Sequence, residues 1–160
     1  MKNYGKAAAT LAADQADYDD ARCDLAMVQT KIGFMLLKMG KLNDAEAAYQ
    51  KALEIAKLSF SIEHGDTPAL YAAADAYAGM GEAAIAEARK TRDDAARSKL
   101  VLKARAEYES GLSVWTHIAN PSRINGNGHT ATMEFRELSS RLASMPASSG
   151  TQVVELVQKK

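Results

Sequence analysis

Residues 32–53 read Ile32-Gly33-Phe34-Met35-Leu36-Leu37-Lys38-Met39-Gly40-Lys41-Leu42-Asn43-Asp44-Ala45-Glu46-Ala47-Ala48-Tyr49-Gln50-Lys51-Ala52-Leu53. Gly40 divides this stretch into two helical halves. Before it, Ile32, Gly33 and Leu36 recur at helical steps; after it, Ala45, Ala48, Tyr49, Ala52 and Leu53 do the same. A glycine at that point supplies the left-handed residue that stops a helix. Two helices joined by so short a turn must lie antiparallel. Small residues at Gly33, Ala45 and Ala52 let the two axes approach closely, and the Tyr49 ring fills the space where they diverge.

The pattern extends outward from this hairpin. Upstream, Asp17 is an N-cap, and Asp19 and Asp20 stand in the first turn, where the helix dipole favours negative charge. Ala21, Leu25 and Val28 carry the periodicity back from Ile32, so the first helix is predicted to run to about Met39. The second starts near Leu42 to Asn43 and reaches about Phe60. Glu63 to Asp66 reads as a turn. Thr67 then caps a helix whose first position is Pro68. That helix is predicted to end at a Gly79-Met80-Gly81 corner. From Glu82 onward the chain reads as one long helix, or as two separated near Arg92 to Ala95, with its apolar face continuing through Val114, Trp115 and Ile118. Asn120-Pro121 ends it, and Ser122 to Gly128 is a loop. Thr130 or Thr132 caps a last amphipathic helix (Met133, Phe135, Leu138, Leu142) that reaches about Ser144. No strand-length alternating run with hairpin turn chemistry occurs, so the class is all-α.

Composition is that of an ordinary globular chain, 47% apolar and 25% charged over 160 residues. Lys plus Arg and Asp plus Glu number 20 each, so no overall field steers the chain toward nucleic acid. Cys23 is the only cysteine, which excludes an internal disulfide and a multi-cysteine metal site. No apolar run approaches the roughly 20 residues of a membrane span. Residues 2–11 lack a signal-peptide h-region, and a cytoplasmic location is the expectation.

Internal repetition is visible. Ile32 to Gly40 aligns with Ala73 to Gly81, and Ala45 to Leu53 aligns with Ala104 to Leu112. Gly40 to Ala45 spans 5 residues, whereas Gly81 to Ala104 spans 23, an insertion of 18. The insert (Ala83, Ala84, Glu87, Ala88, Arg89, Lys90, Asp93, Asp94) is alanine- and charge-rich and should be helical. Tyr4-Gly5-Lys6-Ala7 looks like the end of a preceding second helix, so the chain is read as beginning mid-repeat inside a longer protein.

These residues resemble the tetratricopeptide repeat family. Its first helix carries a small residue flanked by apolar ones and then an aromatic or Leu, here Ile32, Gly33, Leu36 and Ala73, Ala74, Tyr77. Its second helix carries small, aromatic and small residues, here Ala45, Tyr49, Ala52 and Ala104, Tyr108, Gly111. The resemblance implies antiparallel helix pairs stacked as a short superhelix, with an inserted helical extension and a C-terminal capping helix. The expected organisation is a partial repeat over 1–16, a clean repeat over 17–60, an inserted repeat over 67–119, a capping helix over 130–144 and a tail over 145–160. The segments Leu11 to Asp14 and Ala21 to Ala26, with the split repeat ending in Trp115, also resemble C-terminal regions of bacterial eukaryotic-like serine/threonine kinases, over about residues 4–142. No kinase glycine loop or catalytic Asp motif occurs.

Little in the chain points to catalysis. His64, His117 and His129 lie without paired ligand spacing, so no metal is expected. Gly126 to Thr130 precedes a helix but follows no strand, and neither phosphate-loop spacing is present. Cys23 lies near Asp20 and Asp24, carboxylates that raise a thiol pKa and work against a reactive thiolate. The basic residues Lys90, Arg92, Arg97, Lys99, Lys103 and Arg105 lack the aromatic interleaving that single-stranded nucleic-acid binding needs. No cofactor is expected, and the chain is read as a non-enzyme.

In the family, partner peptides lie on the concave face built by the first helices. Carried onto this chain, that face holds Met27, Thr30, Phe34, Leu37 and Lys38, then Tyr71, Asp75 and Ala78. Thr30 and Phe34 stand where the chaperone-tail subset needs lysine and asparagine to clamp a carboxylate. The remaining groove is apolar, suited to an amphipathic helix or an extended apolar segment, unless the chain's own last helix fills it. The function expected is a protein-interaction module, a scaffold or regulatory region of a larger protein. The alternative is self-association of a signalling kinase as a homo-oligomer, with no separate ligand.

Overall fold

The computed structural model describes residues 4–5, 19–58, 67–118 and 131–145. Among them five helices follow one another: α1 (Asp19–Lys38), α2 (Leu42–Leu58), α3 (Thr67–Lys90), α4 (Asp94–Trp115) and α5 (Ala131–Ala143). The Asp17 cap, the end of α2 beyond Leu58, the Glu63 to Asp66 turn, the Asn120 to Thr130 connection, most of the partial repeat and the tail from Pro146 lie outside the described residues. So do His64 and His129.

Helices α1 and α2 form the first hairpin. Gly40 sits at φ 73°, and the Lys41 and Gly40 amides donate to the Leu36 and Leu37 carbonyls at 3.0 and 2.9 Å. That pair of bonds closes the helix end in the Schellman pattern, which a side chain at Gly40 would strain. Helices α3 and α4 form the second hairpin. Asp93 caps α4, its carboxylate accepting the Ala96 amide at 2.7 Å.

The second hairpin turns next to the break the sequence offered near Arg92 to Ala95, and not at the Gly79-Met80-Gly81 corner. Gly79 and Gly81 lie inside α3 and the chain turns at residues 91–93, so the corner and the 18-residue insertion built on it are corrected. Both glycines are buried, and each serves as a seat for a ring. A Cβ on Gly33 would come within 2.7 Å of the Tyr49 ring; on Gly79 it would collide with that ring, and on Gly81 with the Tyr108 ring. A helix tolerates an internal glycine at a cost of about 1 kcal/mol, and the close approach of a tyrosine offsets it.

Measured from these seats, the two hairpins are variations of one unit. Sixteen positions separate Gly33 from Tyr49 and twenty-seven separate Gly81 from Tyr108, so the second hairpin is longer by eleven. Four of these lie on α3 beyond Gly81 and seven on α4 before Tyr108, while both turns have three residues.

Two cores result. Leu25, Leu36, Tyr49, Leu53, Ile55 and Met80 fill the space among α1, α2 and α3. Leu70, Tyr71, Tyr108, Trp115, Ile118 and Leu138 fill that among α3, α4 and α5. Alanines line much of the contact, with Ala26, Ala45, Ala52, Ala56, Ala74, Ala76 and Ala104 fully buried, so the axes approach closely. Helix α5 packs on α4 through Leu138 and Leu142 and closes the second core.

Candidate functional site

Helices α1, α3 and α5 share a groove of about 680 Å³. Helix α1 contributes Thr30, Lys31, Phe34, Met35, Leu37 and Lys38; α3 contributes Asp75, Ala78, Gly79 and Glu82; α5 contributes Glu134, Glu137 and Arg141. Tyr49 and Tyr4 also border it.

The α1 side is built by one helical stripe. Lys31, Phe34 and Lys38 recur at three- and four-residue steps and so share a face. Phe34 is 48% exposed, and the Lys38 ammonium stands 5.2 Å from its ring centre. That distance is within cation–π range, so the charge is held beside the apolar ring rather than swept freely through solvent. Leu37 and Met27 pack partly into the first core. The Thr30 hydroxyl turns back to donate to the Met27 carbonyl at 2.7 Å.

The α3–α5 side is held by a polar chain. Glu82 accepts the Tyr108 hydroxyl at 2.6 Å and also pairs with Arg141, which in turn pairs with Glu137 one turn earlier on α5. Burial pushes the Tyr108 hydroxyl up to about 12, with the positive charge of Arg89 opposing this in part. Burial likewise raises Tyr49, and the carboxylate of Asp75 adds to it. Both phenols are therefore neutral donors at ordinary pH, and neither is a candidate base.

Of the residues expected on the concave face, Thr30, Phe34, Leu37, Lys38, Asp75 and Ala78 line this groove together. Tyr71 does not. It is 5% exposed and meets Trp115 edge-on, ring centres 5.2 Å apart, in the second core. The physical reason is the position of α3 between the first hairpin and α4, which turns the Tyr71 face inward. Met27 packs against the first core instead of bordering the groove. Lys31, Glu82, Glu134, Glu137 and Arg141 were not anticipated. Lys31 lies on the same stripe as Phe34 and Lys38 and could have been read from it. The α5 residues could not, because their place depends on how the last helix docks.

No group of three or more potential metal ligands occurs among the described residues, and none of their helices is long and apolar enough to cross a membrane.

Two hairpins stacked through tyrosine rings on glycine seats, with first helices lining a groove, define a helical-repeat domain. The tetratricopeptide repeat model matches residues 24–92, a segment covering most of α1 and all of α2 and α3. No curated protein and no solved structure matches the chain. Repeats of this family are generally protein-interaction modules and are typically non-catalytic.

Proposed function

We propose that the chain is a polypeptide-binding region that holds a partner segment in the groove of α1, α3 and α5. The observation carrying this reading is Phe34. It stays half exposed in the groove, whereas Tyr49, Tyr71, Tyr108 and Trp115 are buried to 5% exposure or less. An aromatic ring beside Leu37, with the small Ala78 and Gly79 opposite, is the kind of anchor surface that interfaces use. Replacing Phe34 with a photo-crosslinking benzoylphenylalanine tests the reading, with the same group at Leu58 on α2 as control. Adducts to a discrete polypeptide are expected from position 34 and not from position 58. Equal labelling from both positions would remove the groove from the reading.

Self-association is the second reading, and exposed Met133 and Phe135 on α5 favour it. Light scattering across a hundredfold concentration range decides, since a constant monomer mass excludes it. Residence in a longer signalling kinase is the finest form of the proposal, supported by the sequence resemblance alone. The reading frame around these residues tests it, and a frame without a kinase domain removes it.

A further inference from the structure

The charges around the groove are sorted by side. Every ionic residue that α1 contributes is cationic, Lys31 and Lys38. Facing them, α3 and α5 contribute the carboxylates Asp75, Glu82, Glu134 and Glu137 and one cation, Arg141, itself paired to Glu82 and Glu137. Among these charges the groove is lined by Phe34 and Leu37 of α1 and by Ala78 and Gly79 of α3. The groove is thus an apolar channel with a positive edge and a negative edge, although the whole chain has formal net charge +0.

From this sorting we infer that the groove takes an amphipathic helix whose apolar ridge is flanked by acidic residues on one side and basic residues on the other. The inference rests on the groove reading above and adds the partner's charge pattern to it. Complementary edges favour the matched partner and penalise like charges placed opposite one another. They also set direction. A helix lying in the channel one way presents its acidic edge to Lys31 and Lys38; turned end for end, it presents its basic edge to them. Only one direction therefore matches. Helix α5 supplies two of the four carboxylates of the negative edge, so the last helix acts as a wall of the site as well as a cover for the second core.

Four synthetic 20-residue helices with one shared apolar ridge form the test, their flanks being Glu and Lys, Glu and Glu, Lys and Lys, or Gln and Gln. Fluorescence anisotropy against the full chain should show the mixed peptide binding about tenfold tighter than either single-sign peptide in low salt, the gap narrowing as salt screens the edges. In the Lys31→Glu/Lys38→Glu double variant the preference should pass to the Lys and Lys peptide. In the Glu134→Lys/Glu137→Lys variant it should pass to the Glu and Glu peptide. Lys31→Met/Lys38→Met, which leaves all the α5 pairs in place, should cancel the penalty on the Lys and Lys peptide without lowering helicity. If all four peptides bind within twofold of each other, the charge inference is overturned and the groove reading stands. If none binds, the groove reading falls and the inference with it. A concentration-dependent dimer abolished by Lys31→Glu/Lys38→Glu would assign the groove to a second copy and also overturn the proposal.

Discussion

Tyr49 and Tyr108 occupy the same position in successive hairpins, yet they are held differently. Tyr49 lies between two glycine seats, Gly33 of its own hairpin and Gly79 of the next. Its ring is thus shared, and it joins the hairpins to one another. Among the described residues Tyr108 has one seat, Gly81, and its hydroxyl is tied to Glu82, which also holds Arg141 of α5. Inside the stack, two helices approach the ring through glycines; at its end, a polar tether to a short helix takes the place of the second seat. The same side chain serves as an internal joint in one place and as an anchor for a cap in the other.

The comparison predicts unequal costs. Tyr49→Ala should destabilise by about 4 kcal/mol and Tyr108→Ala by about 3, since truncating a large buried ring removes its burial and leaves a cavity. Urea midpoints check this, and a larger loss at Tyr108 would break the distinction. Gly79→Ala attacks the joint from the other side and should cost about 2–3 kcal/mol, because the Tyr49 ring must move against both hairpins.

Alkaline titration sharpens the difference in polarity. The Tyr108 hydroxyl, ordinarily near 10.0, is raised to about 12 in the fold, so the folded state holds that proton more tightly. Its contribution is complete below pH 10 and is lost as pH rises through about 12, with a slope of at most ~1.4 kcal/mol per pH unit. Tyr49 shifts in the same direction. Stability measured between pH 9 and 12 should fall less steeply in Tyr108→Phe than in the parent chain, and an unchanged slope would remove burial of this hydroxyl as the cause. The smallest effect belongs to Arg141→Ala. Its pair with Glu82 is well exposed on both sides, so the global loss should stay under about 1 kcal/mol. Amide exchange in α5 should nonetheless quicken while that in α1 does not.

Much of this was legible from local spacing. The first hairpin, the Gly40 stop and the pairing of Tyr49 with Tyr108 follow from periodicity and from the one residue type that accepts a positive φ. The second hairpin was misread at one point. A glycine pair reads the same in sequence whether it ends a helix or admits a ring, and only the helix formers that follow, Glu82 to Lys90, hinted at the second. Tyr71 was misplaced because α3 is packed along more than one side, so a residue on its groove-ward stripe can still face a core. Of the negative edge only Asp75 was read from the sequence, because the rest is made by residues more than fifty positions apart, Glu82 with Glu134 and Glu137, brought together by the docking of α5.

The eleven residues of the longer hairpin fall as four on one arm and seven on the other, close to one and two whole turns at 3.6 residues each. A lengthening by whole turns returns each side chain to its former bearing. The glycine seats therefore keep facing their tyrosines however far the arms extend. Reach and alignment are independent variables in this architecture: one can be changed by the turn while the other stays in phase.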